Sequence, residues 1–497
     1  MKKPMRGAIM PPLAGTAAEG LGLRGQVYKT CLAAIVDGRL APGARLPSAR
    51  ALAADWRIAR NTVDDAIAQL QSEGFLTRRV GAGTFVAAQI PGRAHGDAPP
   101  KRRQPSALGR KALGSVSVRG RGASASYAAA SAPRPEPFLA ALPALDAFPL
   151  ALWRRLAARR WRVSGRSLLG YFPSLGHGPL REATARLLAA TRGVDCGADQ
   201  VMIVNSSVQA IDLIARVLLD PADSVWVEDP CFPNLRAALA MSGARVAGVP
   251  VDADGIDVDC GRRIAPDAGL VYVTPSCQYP LGVTLSLERR LALLRFAGNS
   301  GAWIVEDDYQ SEFSYAGRPL AAIHSLDRGG RTLYVGTFTN SVFPSLRIAY
   351  LVLPRSLVPV FRAVRRQLDD HTHGFMQAVL ADFIDGGHFA AHLRRMRAVY
   401  HARRDALTAA CVRELPQAEL GPMTGGMNAA LHLPARWSDE NVAAGADAAG
   451  LRVLPLSRYR SGPRRRNGLL LGYTALSERR IAGGIARLAR VIADGGR

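Results

Sequence analysis

More than three quarters of this 497-residue chain contains no primary amine, because its only lysines are Lys2, Lys3, Lys29, Lys101 and Lys111. Covalent chemistry that starts from a lysine ε-amine is closed to everything beyond Lys111. That stretch offers acids, hydroxyls and arginines instead. Asp307 follows the hydrophobic run Trp303–Val305, and loops at the carboxyl ends of strands in α/β sheets build binding sites. The run Asn205-Ser206-Ser207-Val208-Gln209 joins an expected strand to an expected helix, so its amides and hydroxyls can cradle an anion. Arg347 carries a planar fork of donors that matches phosphate, and Phe232 offers an apolar ring face. His388 and His392 have the i, i+4 spacing of a metal pair. No third ligand is evident, so surface histidines on a helix are the expected reading and no metal site is assigned. Glu306, Asp307 and Asp308 do not share one ion either, since neighbours along a strand face opposite ways. A Ser-His-Asp triad cannot be argued from spacing.

The elements that must hold these groups are legible in outline. From Phe138 onward short β-branched runs (Val201–Val204, Ser224–Val227, Leu270–Val273, Trp303–Val305, Leu333–Val335) alternate with Ala/Leu/Arg-rich helical segments, the rhythm of a doubly wound α/β sheet. Residues 1–20 read as a flexible tail, 21–88 as a compact module, 89–136 as a basic flexible linker rich in Pro, Gly, Ser and Arg, and 137–497 as the α/β domain. The formal charge is +24, and residues 1–125 carry roughly +13 of it in a quarter of the length. Genomic base bias accounts for part of that, but the asymmetry favours a basic module with a polyanionic partner. Six scattered cysteines without CxxC spacing argue against disulfide and zinc frameworks. No run of about eighteen apolar residues predicts a membrane span, and Pro11, Pro12 and Glu19 interrupt any signal-like segment. A cytoplasmic location is expected.

In the module, Val27–Val36 reads as a helix ending at Asp37-Gly38, and Ser48 as the N-cap of a helix over Ala49–Asp55. A further helix begins at Asn61 or Thr62, with Val63, Ala66, Ile67 and Leu70 on one face, and stops at Gly74. Phe75–Arg79 and Thr84–Val86 flank Gly81-Ala82-Gly83 as a wing. The runs Gly38-Arg39-Leu40-Ala41-Pro42-Gly43-Ala44-Arg45-Leu46-Pro47-Ser48, Arg60-Asn61-Thr62-Val63 and Gly81-Ala82-Gly83-Thr84-Phe85-Val86 resemble the winged helix-turn-helix of the GntR family. The resemblance implies that Arg50, Arg60, Asn61 and Thr62 face double-stranded operator DNA, with Gly81 and Gly83 at a wing tip near the minor groove. Each arginine serves equally well as a base reader or as a phosphate anchor. Asp64 and Asp65 are expected to cap the helix or pair with an arginine.

Downstream, Val227-Glu228-Asp229-Pro230-Cys231-Phe232-Pro233, the run from Val273 to Thr284, and Val305-Glu306-Asp307-Asp308-Tyr309 resemble fold-type I aminotransferases. With the upstream module, the whole chain resembles the MocR subfamily of regulators. The resemblance implies a fold-type I domain, a doubly wound mixed sheet plus a smaller α+β subdomain, and a head-to-tail homodimer. It also implies a pyridoxal 5'-phosphate pocket. Asp307 would face the pyridine nitrogen, Tyr309 the phenolic oxygen and Phe232 the ring. Ser206, Ser207 and Arg347 would face the phosphate, Thr339 would also contact the cofactor, and Tyr171 would reach in from the partner.

The run from Gly336 to Arg347 resembles the cofactor-attachment segment, and Asn340 stands where the Schiff-base lysine belongs. An amide nitrogen cannot form that bond, because its lone pair is delocalised, so the cofactor is expected to be noncovalent at best. Other departures fall in the same segments: Ser206 for a glycine, Val208 for a polar residue, Cys277 for a histidine, and no arginine in Leu469-Leu470-Leu471-Gly472-Tyr473. Ser206 is expected to block backbone conformations that only glycine takes easily. A DNA-binding regulator with a catalytically inactive effector and dimerisation domain is the leading expectation. The alternatives are a pyridoxal-phosphate-dependent enzyme and a regulator sensing a different ligand.

Overall fold

A computed structural model describes residues 10, 13, 22–79, 81–90, 117, 120, 137–315, 320–462 and 467–495. The expected tail over 1–20 and linker over 89–136 lie almost wholly outside the described residues. The chain divides into two compact units, residues 1–116 and 117–497.

The first unit is a winged helix-turn-helix. Helix α1 spans Leu23–Val36 and α2 spans Ala49–Trp56; Ser48 caps α2 by accepting from the Ala51 amide at 3.2 Å. Helix α3, Arg60–Ser72, starts one residue earlier than expected and has no side-chain cap. Its apolar spacing turns Val63, Ala66, Ile67 and Leu70 inward against α1 and α2, where Val27, Cys31, Ala34 and Leu52 complete the core. Gly74, at φ 79°, ends the helix in a left-handed turn. Strands β1 (Leu76–Arg79) and β2 (Gly83–Val86) pair antiparallel as the wing.

The second unit is built on an eight-stranded mixed sheet. Its strands are β3 (Val201–Val204), β4 (Ser224–Asp229), β5 (Arg245–Asp252), β6 (Gly255–Ile256), β7 (Leu270–Val273), β8 (Trp303–Asp308), β9 (Thr332–Thr337) and β10 (Ala349–Val352). The spatial order is β3-β10-β9-β8-β7-β4-β5-β6. Strands β9, β8, β7, β4 and β5 run parallel; β10 is antiparallel to both of its neighbours, and β6 to β5. The residues of β3, β7, β9 and β10 are buried throughout, as a sheet with helices on both faces requires. Helix α4 (Ser207–Leu218) follows β3 directly. A smaller four-stranded antiparallel sheet has the order β11-β12-β14-β13, with β11 Glu419–Leu420, β12 Asn428–Leu433, β13 Leu454–Pro455 and β14 Asn467–Gly472. It packs with helices Asp439–Ala448 and Glu478–Gly495 around its own core, which includes Leu431, Leu471 and Ile485. The expected fold class, a winged module followed by a fold-type I sheet and a smaller α+β subdomain, is what the chain forms. Among the described residues no helix is long and apolar enough to cross a membrane, and no group of three metal-ligating side chains occurs.

Candidate ligand cavity and nucleic-acid interface

Five strands and the loops after them deliver side chains to one cavity of about 280 Å³. Ser206 and Ser207 come from the end of β3, Glu228 from β4, Tyr272 and Thr274 from β7, Asp307 and Tyr309 from β8, and Thr337, Thr339 and Asn340 from β9. These are the carboxyl ends of the strands, where an open α/β sheet leaves room for a ligand.

Asp307 is the last but one residue of β8, not a residue after the strand as its spacing suggested. It is buried, and its Oδ2 accepts from the Tyr272 hydroxyl at 2.6 Å, while Oδ1 has no hydrogen-bond partner. Burial raises its carboxyl to about 7, partly offset by the Tyr272 bond. Its two neighbours point the other way, as strand alternation demands. Glu306 caps a short helix through the Ile323 and His324 amides at 3.1 and 2.9 Å, and Asp308 pairs with Arg192 at 2.6 Å. Glu228 is the second acid on the cavity wall. It accepts from the Thr274 hydroxyl at 2.6 Å, and burial raises it to about 7.

At the other end of the cavity Ser206 caps α4 by accepting from the Gln209 amide at 3.2 Å. Ser207 and Val208 open the helix, so their amides have no acceptor within it. Ser206 has φ −170°, an extended backbone open to any residue, so the expected glycine-only obstruction does not exist. Arg347 lines the same cavity from an exposed, left-handed position (φ 51°) and makes no hydrogen bond or ion pair among the described residues. The Thr339 hydroxyl is buried without a partner. Phe232 lies edge-on to Tyr279 at 5.6 Å, and Tyr279 to Tyr309 at 5.9 Å. Asn340 donates from Nδ2 to the Tyr309 carbonyl at 3.2 Å.

These groups fit a phosphorylated pyridine. A buried acceptor without a partner (Asp307 Oδ1) suits a protonated ring nitrogen, and a helix N-terminus with an unpaired guanidinium suits a phosphate. Seven of the eight residues expected around the cofactor line this one cavity. Tyr171 does not: its side chain is 93 % exposed. The cavity also includes Tyr272, Thr274 and Glu228, which only the side-by-side order β8-β7-β4 brings to the wall that holds Asp307, and Asn234 from the helix after β4; sequence reading missed all four. Cys277 is buried behind Tyr309, and its thiol is pushed up to about 11 by burial. The expected surface pair His388 and His392 is corrected in part. His392 is buried, with Nε2 at 3.0 Å from the Ser341 carbonyl.

In the first unit Arg50, Arg60 and Asn61 are exposed and Thr62 is half-buried. Arg60 meets Asp64 at 3.2 Å, the arginine pairing expected of that acid. Gly81 and Gly83 have φ 75° and 112°, a backbone that glycine adopts without strain. A Cβ on Gly83 would stand 3.1 Å from Arg45 Nε. Arg45 therefore joins the wing, and Arg79 lies 5.0 Å over the Phe85 ring. Neither was singled out in the sequence; only the bridge between Arg45 and Phe85 brings Arg45 to the wing.

Residues 144–459 match the family model "Aminotransferase class I and II", and residues 23–86 match "Bacterial regulatory proteins, gntR family". The probable rhizopine catabolism regulatory protein MocR of Rhizobium meliloti is 38 % identical over 93 % of this chain and 92 % of its own length. The HTH-type transcriptional regulator TauR of Rhodobacter capsulatus is 35 % identical over 92 % and 94 %. A crystal structure of the Pyrococcus horikoshii kynurenine aminotransferase superposes with a TM-score of 0.68 at 28 % identity, covering 78 % of this chain and 96 % of that one.

Proposed function

The chain belongs to the MocR-type regulators, in which a gntR-family module precedes an aminotransferase class I and II domain, and we propose that it regulates transcription without transaminating. In this reading the winged module binds operator DNA through Arg50, Arg60, Asn61 and Thr62, with Gly81 and Gly83 at the wing tip. The 137–497 domain senses a ligand and dimerises, tethered by residues 89–136. One observation carries the proposal: the cavity has groups for a phosphopyridine and no lysine, and Asn340 stands among them. Pyridoxal 5'-phosphate, when bound, supplies an electron sink for amino-acid chemistry. Here Asp307 would hold the ring nitrogen, and Ser206, Ser207, Thr339 and Arg347 the phosphate. Phe232 would stack on the ring and Tyr309 would face its phenolic oxygen, all without a covalent anchor.

A head-to-tail homodimer is part of the same proposal. Tyr171, Leu169, Val163 and Trp161 are 93, 69, 70 and 55 % exposed. Large apolar side chains left exposed support a surface that an assembly would cover, and Tyr171 would then serve the partner's cavity.

Four measurements on the purified full chain test the proposal. The protein should prefer its own promoter region over random DNA at moderate salt, and should be a dimer by light scattering at micromolar concentration. Borohydride treatment with pyridoxal phosphate should leave no pyridoxyl group on any peptide beyond Lys111. Turnover of any amino donor would overturn the non-enzymatic reading, and equal affinity for random DNA would overturn the regulatory one.

A further inference from the structure

Asn340 does more than remove an amine, because its own orientation is fixed. The Tyr309 carbonyl can only accept, so the contact at 3.2 Å must come from the Asn340 NH₂. The other end of the amide, Oδ1, is a pure acceptor and makes no hydrogen bond among the described residues. A ligand that offers only an acceptor near it leaves Oδ1 unsatisfied and facing like charge; a ligand that offers N–H donors satisfies it.

The charges on the cavity wall point the same way. Its described lining holds two carboxyl groups, Glu228 and Asp307, and one cation, Arg347. Once Arg347 engages a phosphate, no lining residue supplies the positive charge that a lysine ammonium would have given. With the ring nitrogen's proton matched to Asp307 in either form, a charge to balance Glu228 must come from another group of the ligand.

Resting on the phosphopyridine reading above, we propose that the cavity selects the amine form, pyridoxamine 5'-phosphate, over the aldehyde form, with Asn340 as the residue that sets the preference. Asn340 would act as an acceptor for the ligand's ammonium, and Glu228, the lining acid that does not face the ring nitrogen, as its counter-charge. The domain would then report the amine-to-aldehyde ratio of the phosphorylated pyridines, not their total amount. No bond is made or broken.

Calorimetric titration of the full chain with pyridoxamine phosphate, pyridoxal phosphate and inorganic phosphate tests this. The amine form should bind about tenfold more tightly than the aldehyde form, as expected for a hydrogen bond to a charged group. Asn340→Leu should bring the ratio close to one, and Asn340→Asp should widen it. Equal or reversed affinities in the wild type, with both ligands tighter than phosphate, would overturn the selectivity and leave the phosphopyridine reading standing. A response no stronger than that to inorganic phosphate would remove the phosphopyridine reading itself, and the selectivity with it.

Discussion

The two units place function differently relative to their cores. In the winged module the residues assigned to DNA stand outside a core they do not share: Arg50, Arg60 and Asn61 are exposed, while Val63, Ala66, Ile67 and Leu70 do the packing. In the cavity the assigned residues are built into the sheet. Asp307 sits in β8 two residues from the buried Val305, and is itself only 6 % exposed. Surface functions can change without touching stability, whereas a residue such as Asp307 carries both. Together with the exposed Arg347, Asn340 is an exception in the cavity. It is half-buried and held by one hydrogen bond to a backbone carbonyl, so little in the fold requires its identity. The position proposed to have lost its amine is thus one the scaffold holds only lightly.

The largest effect expected from breaking this contrast is at Asn340. Asn340→Lys should take borohydride-fixed pyridoxyl mass at that peptide from none to most of the protein, read by mass spectrometry. No gain would mean that the rest of the cavity has eroded as well. Next in size, Arg60→Ala should weaken operator binding about tenfold to a hundredfold in fluorescence anisotropy, with the thermal midpoint nearly unchanged. A drop in midpoint of several degrees would show that the surface residue is not independent of its core.

A smaller effect is expected from pH. Burial holds Asp307 and Glu228 at about 7, well above the usual carboxylate value of about 4. Below about 4 both groups are protonated in folded and unfolded chains, and the folded state keeps its full advantage. As pH rises from there the unfolded chain releases its protons first, so stability falls until the folded groups ionise at about 7. Glu306, also raised to about 7 by burial, adds the same sign. The thermal midpoint of ligand-free protein should therefore be lower at pH 8 than at pH 5.5, and Asp307→Asn should flatten the profile. A midpoint that climbs over that range would contradict the burial of these acids. The smallest effect is expected at the exposed Arg60–Asp64 pair. Asp64→Ala should change stability by less than about 1 kcal/mol, measured by urea unfolding.

Much of the fold was legible because its signals are local. The apolar face of α3, the Ser48 cap and the glycines of the wing each lie within one short segment, and the β-branched runs found the central strands with ends that differ by a few residues. The cavity was legible as far as motif residues reach, which covers Ser206, Phe232, Asp307, Tyr309 and Arg347. Tyr272, Glu228 and the orientation of the Asn340 amide were not. Each depends on which strands lie side by side or on a contact to a backbone carbonyl, and no spacing along the chain encodes either. Ser206 shows the opposite error: its type suggested obstruction, but the backbone is extended there and accepts any residue.

The alternation along β8 restricts how this site can change over evolutionary time. Asp307 faces the ligand only because Glu306 and Asp308 face away. Inserting or deleting one codon upstream in β8 would exchange those faces, putting two acids in the cavity and leaving Arg192 and the Ile323 amide without their partners. Such an indel would break the buried Arg192–Asp308 pair and remove the Asp307 acceptor together, whereas a substitution can change one group at a time. Asparagine and lysine codons differ at the third base alone. A lysine at position 340 is therefore a single transversion away, in a reading frame that β8 keeps intact.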